Sequence, residues 1–134
     1  MPNKRNHADA DLDQSVAMPA AGSSANTASI DLGAERILSL ESVDIVVATD
    51  DMPAAFADDA TVTATIQDSA DNTTFAAVPG LSTIVLTGTG AALAGMNSRR
   101  KLPQGVRRYL RVNFAESASG GDITAKKGYL KLRF

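Results

Sequence analysis

The sequence predicts an all-β protein, a sandwich or barrel of about eight short antiparallel strands, and three observations carry that reading. Apolar and polar residues alternate over short runs, best seen at residues 61–67, 109–114 and 129–134. Clusters of Gly, Pro, Asp, Asn and Ser separate the runs about every 8–12 residues. No stretch repeats its apolar residues at the helical period. With 134 residues the chain is one domain, or one domain with an arm. Its core is thin: Leu, Val, Ile and Phe supply 30 residues, and another 23 are Ala, which bury little surface. That places the chain just above the roughly 20% of large apolar residues below which chains stay disordered. Stability is therefore expected to lean on a partner or on self-association.

In chain order, residues 1–27 read as a flexible or extended N-terminal arm, because the small-residue stretch 17–26 follows neither period. Residues 28–134 form the domain. Residues 28–32 are a short strand closed by Gly33, and residues 37–40 a turn or strand. Residues 41–49 place Val43, Ile45 and Val47 on one face. A polar loop with one helical turn at 54–57 fills residues 50–59. Residues 61–67 turn Val62, Ala64 and Ile66 inward. The Asp, Ser and Asn side chains of residues 68–72 can bond their own backbone and tolerate left-handed φ, so a turn is expected there. Residues 73–78 return as a strand, with Phe75 in the core, and Pro79-Gly80 ends the hairpin.

Residues 81–86 form the next strand, with Ile84 and Leu86 on one face and Val85 on the other. A small-residue loop follows from Gly88 to Gly95, and Leu102-Pro103 opens a short extended segment. Residues 109–114 and 129–134 share one pattern. Leu110, Val112, Phe114, Leu130, Leu132 and Phe134 face inward, while Tyr109, Arg111, Tyr129 and Lys131 face outward.

The residue inventory argues against catalysis. There is no Cys, so no disulfide, thiolate metal site or cysteine nucleophile exists. The single His, His7, lies in the expected arm, where a fixed catalytic geometry is not expected. Asp50-Asp51 and Asp58-Asp59 flank a loop but lack the alternating ligand spacing of a calcium loop, and they read as solvated acids. No metal and no cofactor is therefore expected. Gly88-Thr89-Gly90 has no Lys-Ser/Thr pair behind it and is no phosphate loop. No apolar run reaches the roughly 18 residues of a membrane span. The basic pair Lys4-Arg5 has no apolar segment behind it, unlike a secretory signal.

The net charge of -2 hides a division. Residues 28–98 carry ten acids against Arg36 alone, and residues 99–134 carry ten bases against Glu116 and Asp122. Either the two halves interleave into a mixed surface, or a basic patch docks on an acidic partner. Arg99, Arg100, Lys101, Arg107 and Arg108 are the dense basic feature and the candidate contact residues. Nucleic acid fits them poorly, because the pI is about 5.2, Trp is absent and no groove-reading helix is expected. Arg suits bidentate pairing with carboxylates, so an acidic protein surface is the better match.

Three stretches together resemble a family. They are Asn26-Thr27-Ala28-Ser29-Ile30-Asp31-Leu32-Gly33, then residues 62–71 with Phe75, then Leu102-Pro103 followed by Arg108-Tyr109-Leu110-Arg111-Val112. In order and spacing they resemble the tailed-bacteriophage capsid cement proteins of the Bbp16-like type, over residues 24–134. The resemblance implies a jelly-roll β-sandwich on the outer surface of an icosahedral phage head, made in the bacterial host cytoplasm. It implies a protein that clamps major capsid subunits together, associates as a homo-oligomer (dimer or trimer), and uses neither catalysis nor a cofactor. The first 23 residues depart from it, being polar and Asp-rich. The alternative is a carbohydrate- or cell-surface-binding jelly-roll module, such as a head-fibre or tail-associated component, since residues 68–75 also look like turns in discoidin-like jelly rolls.

Overall fold

Alternation decides the layers. The computed structural model describes residues 13–32, 43–103 and 105–133. The strands are β1 (Asp13–Ala17), β2 (Ser24–Asn26), β3 (Ile30–Asp31), β4 (Asp44–Thr49), β5 (Thr61–Ser69), β6 (Ala76–Ala77), β7 (Ile84–Thr87), β8 (Asn97–Lys101), β9 (Tyr109–Glu116) and β10 (Lys127–Arg133). No helix occurs among the described residues. His7, the segment 37–40 and Phe134 lie outside them.

One sheet has the order β1-β10-β4-β8, and the other β2-β9-β5-β6, with β3 also on β9 and β7 also on β5. All pairings are antiparallel. β2 and β3 lie on the same side of β9, and β6 and β7 on the same side of β5, so each pair is one interrupted strand. That reduces the ten strands to eight, the number the sequence predicts. Successive strands cross from sheet to sheet except at the β5–β6 hairpin, which is the jelly-roll arrangement of two packed sheets.

The interruptions have local causes. Thr27 breaks the first pair: its N–H donates to the Val112 carbonyl (3.0 Å), and its hydroxyl accepts the Val112 N–H (3.1 Å). The side chain thus stands in for a ladder carbonyl. Pro79 lies between β6 and β7, and proline has no N–H for the β5 ladder. Pairing stops at Val78, whose N–H still donates to the Ile66 carbonyl (3.0 Å), and resumes at Ile84.

Inward residues of both sheets fill one core. Ile45, Val47, Leu130 and Leu132 face Val62, Ala64, Ile66, Leu110, Val112 and Phe114, all at most 1% exposed. Each large apolar side chain so buried contributes roughly 1.5–3 kcal/mol. Gly128 makes room for the largest of these. A Cβ there would lie 2.6 Å from the Phe114 ring and 2.7 Å from the Met18 methyl. The notch lets a thin core close over an aromatic ring.

Residues 13–31 are built into the domain. β1 pairs with β10 from Asp13↔Lys131 to Ala17↔Lys127, β2 and β3 line β9, and Met18 is 2% exposed. The boundary expected at residue 27 therefore falls inside the sandwich, where residues 13–31 edge both sheets. Small residues suffice at an edge, which has a partner on one side only, and they leave no period to read.

Three further expectations change. β8 occupies residues read only as a charge cluster. Its inward positions, Ser98 and Arg100, cover the rim of the core, so it carries no apolar alternation. The hairpin turn is longer than expected, with β5 running to Ser69 and β6 confined to Ala76–Ala77. Phe75 is half-buried on the outer side of the six-stranded sheet, beneath the Arg111 guanidinium at 3.9 Å. The expected left-handed turn residue is Asn72, at φ 62°.

Candidate functional site

The five candidate cations divide between the sheets. On β8, alternation sends Arg99 and Lys101 to the outer face and Arg100 towards the interior. Arg99 Nε donates to Asp44 Oδ2 of β4 at 2.7 Å, and Lys101 Nζ lies 3.9 Å from the same carboxylate. Arg100 reaches across the open rim to Ser82, donating to its carbonyl at 2.7 Å and its hydroxyl at 3.1 Å. That bond ties the edge of one sheet to the strand interruption of the other.

Arg107 and Arg108 precede β9 in the six-stranded sheet. The Asp68 side chain, only 3% exposed, accepts the Arg107 backbone N–H on Oδ2 (2.9 Å) and Nε and Nη2 on Oδ1 (3.0 and 2.7 Å). Nη2 also donates to the Asp68 carbonyl at 3.0 Å. Arg108 forms a two-point pair with Asp31, at 2.8 and 3.0 Å, and its guanidinium lies over the Tyr109 ring. The hydrogen bonds that Arg107 donates to Asp68, and Arg108 to Asp31, raise the pKa of each guanidinium above the ordinary value.

The structure thus does not bring the five into one open basic patch: each already has an intramolecular partner. Every ion pair among the described residues joins an acid between Asp13 and Asp68 to a base between Arg99 and Arg133. The two charged halves of the sequence interleave, as the first of the two readings expects.

What remains open is different on the two outer faces. On the four-stranded sheet, Lys127 and Lys131 of β10 flank Tyr129, with no carboxylate at ion-pair distance among the described residues. Lys131 lies over the Tyr129 ring at 5.2 Å. The Tyr129 hydroxyl donates to Asp50 (2.8 Å), which raises its pKa. Arg99 and Lys101, with side chains 60% and 75% exposed, flank the same sheet. The outer face of the six-stranded sheet carries Thr61, Thr63, Thr65, Asn113 and Ala115 at one end and Gln67 and Arg111 at the other, where the Arg111 guanidinium donates to Gln67 Oε1 (2.8 Å) and lies over Phe75. Val85 at its edge is 53% exposed, the one exposed large apolar residue among those described.

No aromatic among the described residues is exposed. Phe56 is fully buried, and Tyr109, Tyr129 and Phe75 are half-buried. The paired acids do not converge. Asp50 serves Tyr129 and the Lys127 N–H, Asp51 accepts the Gly95 N–H (2.9 Å), and no group of three or more His, Asp or Glu among the described residues is placed to hold a metal ion.

Two buried carboxyls escaped the sequence reading. Asp68 is the next inward position after Val62, Ala64 and Ile66, and Glu116 the next after Leu110, Val112 and Phe114. Extending each alternation by one step is the signal that would have found them.

These features define an eight-strand jelly-roll sandwich whose ions mostly secure its own frame. The family model Bbp16 matches residues 13–129, which spans the whole six-stranded sheet and all of the four-stranded one except the end of β10, and the chain belongs to that family. No curated protein matches the sequence significantly.

Proposed function

We propose that the protein is a structural component of a phage head, a capsid cement protein that binds the outside of an icosahedral shell and stabilises contacts between its major capsid subunits. Membership of the Bbp16 family over residues 13–129 is the observation that carries this reading. The folded body supports it: the strand edges are those of a small two-sheet unit suited to repeated weak contacts, which gain strength by acting together on a lattice. Self-association belongs to the same proposal, as a homo-oligomer that presents several copies of one face.

The contact residues change from those first expected. Arg100, Arg107 and Arg108 are committed to Ser82, Asp68 and Asp31. Arg99 and Lys101 keep reach on the four-stranded face, where Lys127 and Lys131 add cations that bind no carboxylate among the described residues. That face therefore suits an acidic shell surface, by complementarity that salt weakens within about 8–10 Å. A carbohydrate-binding role has no exposed aromatic platform to support it among the described residues.

The test is to incubate purified protein with undecorated shells and measure sedimentation and shell melting. Co-sedimentation and a raised shell melting temperature are expected. Absence of both counts against the proposal.

A further inference from the structure

Glu116 closes the inward row of β9, and the chain then folds back over it. The residue is 4% exposed, and neither carboxyl oxygen has a hydrogen-bond partner. Buried polar groups almost always have one, so such an orphan calls for an explanation. Its backbone is fixed, with the N–H donating to the Ser23 carbonyl (3.0 Å) and the carbonyl accepting from Gly22 (3.1 Å). The side chain lies where residue 120 has no Cβ: any side chain there would overlap Glu116 Oε2.

We propose that Glu116 is a protonation latch on the connection between β9 and β10, residues 117–126, which stays sealed while its carboxyl is neutral and loosens when it ionises. The inference goes beyond the cement reading and stands without it.

The connection is held by few bonds. Ser117 exchanges two with Thr61: its N–H donates to the Thr61 carbonyl (2.9 Å), and its hydroxyl accepts the Thr61 N–H (3.0 Å). The Gly120 carbonyl accepts the Ala57 N–H at 3.3 Å, and Ile123 anchors the far part in the core. A neutral carboxyl fits this enclosure at modest cost. A carboxylate without donors does not, and it draws in water. Lifting residues 117–121 is the short route to that water.

The surrounding charges act in the same sense. Asp122, in the connection itself, is the charge that acts on Glu116. Its own carboxylate accepts the Thr124 N–H (3.0 Å) and hydroxyl (2.7 Å), which keeps it ionised. On the neighbouring loop, the Asp59 N–H donates to the Gly88 carbonyl and Asp58 packs near Gly90. The cations at the far end of the connection, Lys126 and Lys127, make no ion pair with Glu116 among the described residues, and neither does Arg111 on the outward row of β9. Burial first, and Asp122 second, raise the Glu116 carboxyl above its ordinary value of 4.5. The sealed state is therefore fully favoured below that ordinary value and is lost as pH rises through the raised one.

Amide hydrogen exchange of the whole chain, followed from about pH 4 to about pH 8 and corrected for intrinsic base catalysis, tests the latch. In the wild type, protection at Ala57, Ser117 and Gly120 is expected to fall at least about tenfold as pH rises, a change of about 1.4 kcal/mol. Amides of β4 should hold constant. In Glu116→Gln the fall should vanish. A carbon-detected titration of the Glu116 carboxyl in the wild type keeps the test independent of the variant. A midpoint in the ordinary glutamate range overturns the proposal, as does equal pH dependence in the two proteins.

Discussion

Asp68 and Glu116 occupy equivalent places at opposite ends of the six-stranded sheet. Each continues the inward row of a central strand by one residue, and each is nearly sealed from water. Asp68 meets the Arg107 guanidinium and backbone N–H, whereas Glu116 meets no donor. The difference follows from the segment that closes each end. Residues 105–108 bring an arginine and its N–H to the rim, while residues 117–122 bring small residues and the acidic Asp122. The same sequence position is thus a clamp at one end and a weak point at the other.

The largest expected effect breaks the weak end outright. Deleting residues 1–27 removes β1 and β2 together with Met18, Gly22 and Ser23, which hold the Lys126 carbonyl and both Glu116 backbone groups. It also exposes one edge of each sheet and opens the core beside Phe114. The truncated chain should lose its cooperative melting transition in calorimetry. A transition retained within a few degrees of the full chain would show that residues 13–27 contribute little to stability.

Next in size is the strong end. Asp68→Ala removes the acceptor of three Arg107 contacts, the backbone N–H among them, and leaves an exposed guanidinium without its carboxylate. Solvent offsets the loss at the guanidinium, so the cost in chemical denaturation should be about 1 kcal/mol, set by the N–H that loses its acceptor. A loss under about 0.5 kcal/mol would make the clamp no stronger than an ordinary surface ion pair.

How much of this was legible in the sequence follows from where each residue sits. Alternation over 43–47, 61–67, 109–114 and 129–132 identified the four central strands and their inward faces, because a buried sheet face must be apolar at every second residue. Edges carry no such obligation. β1 reads Asp-Gln-Ser-Val-Ala, β2 Ser-Ala-Asn and β8 Asn-Ser-Arg-Arg-Lys, so none of the three shows an apolar alternation. The basic cluster was legible as composition, but its partners were not. Asp31, Asp44 and Asp68 lie 77, 55 and 39 residues from the arginines they bind, and only the crossing of strands between sheets brings them together.

The outer faces extend the comparison to function. Lys127→Glu with Lys131→Glu changes charges that bind no carboxylate among the described residues, so stability should move by less than about 0.5 kcal/mol. Binding to shells should weaken markedly at low salt, while Thr63→Asn at the threonine-rich end of the other face should leave it unchanged. If the Thr63 variant is instead the one that fails to bind, the contact belongs to that uncharged end of the six-stranded sheet and should resist salt.

The smallest effect distinguishes the two ends by pH. Beside Asp68, the turn at Asp71 is held by a carboxylate whose Oδ1 accepts the Thr74 and Thr73 N–H groups (3.0 and 2.9 Å) and the Ser69 hydroxyl (2.9 Å). Those bonds lower its pKa to about 2 from 3.8. The folded form binds this proton less readily than the unfolded chain, so the contribution is present above 3.8 and is lost as pH falls through about 2. Acid therefore loosens the Asp71 turn, whereas rising pH loosens the Glu116 connection. Asp71→Ala should flatten the acid limb of the melting-temperature profile and leave the limb set by Glu116 in place. An acid limb that survives the substitution would assign the loss to groups other than Asp71.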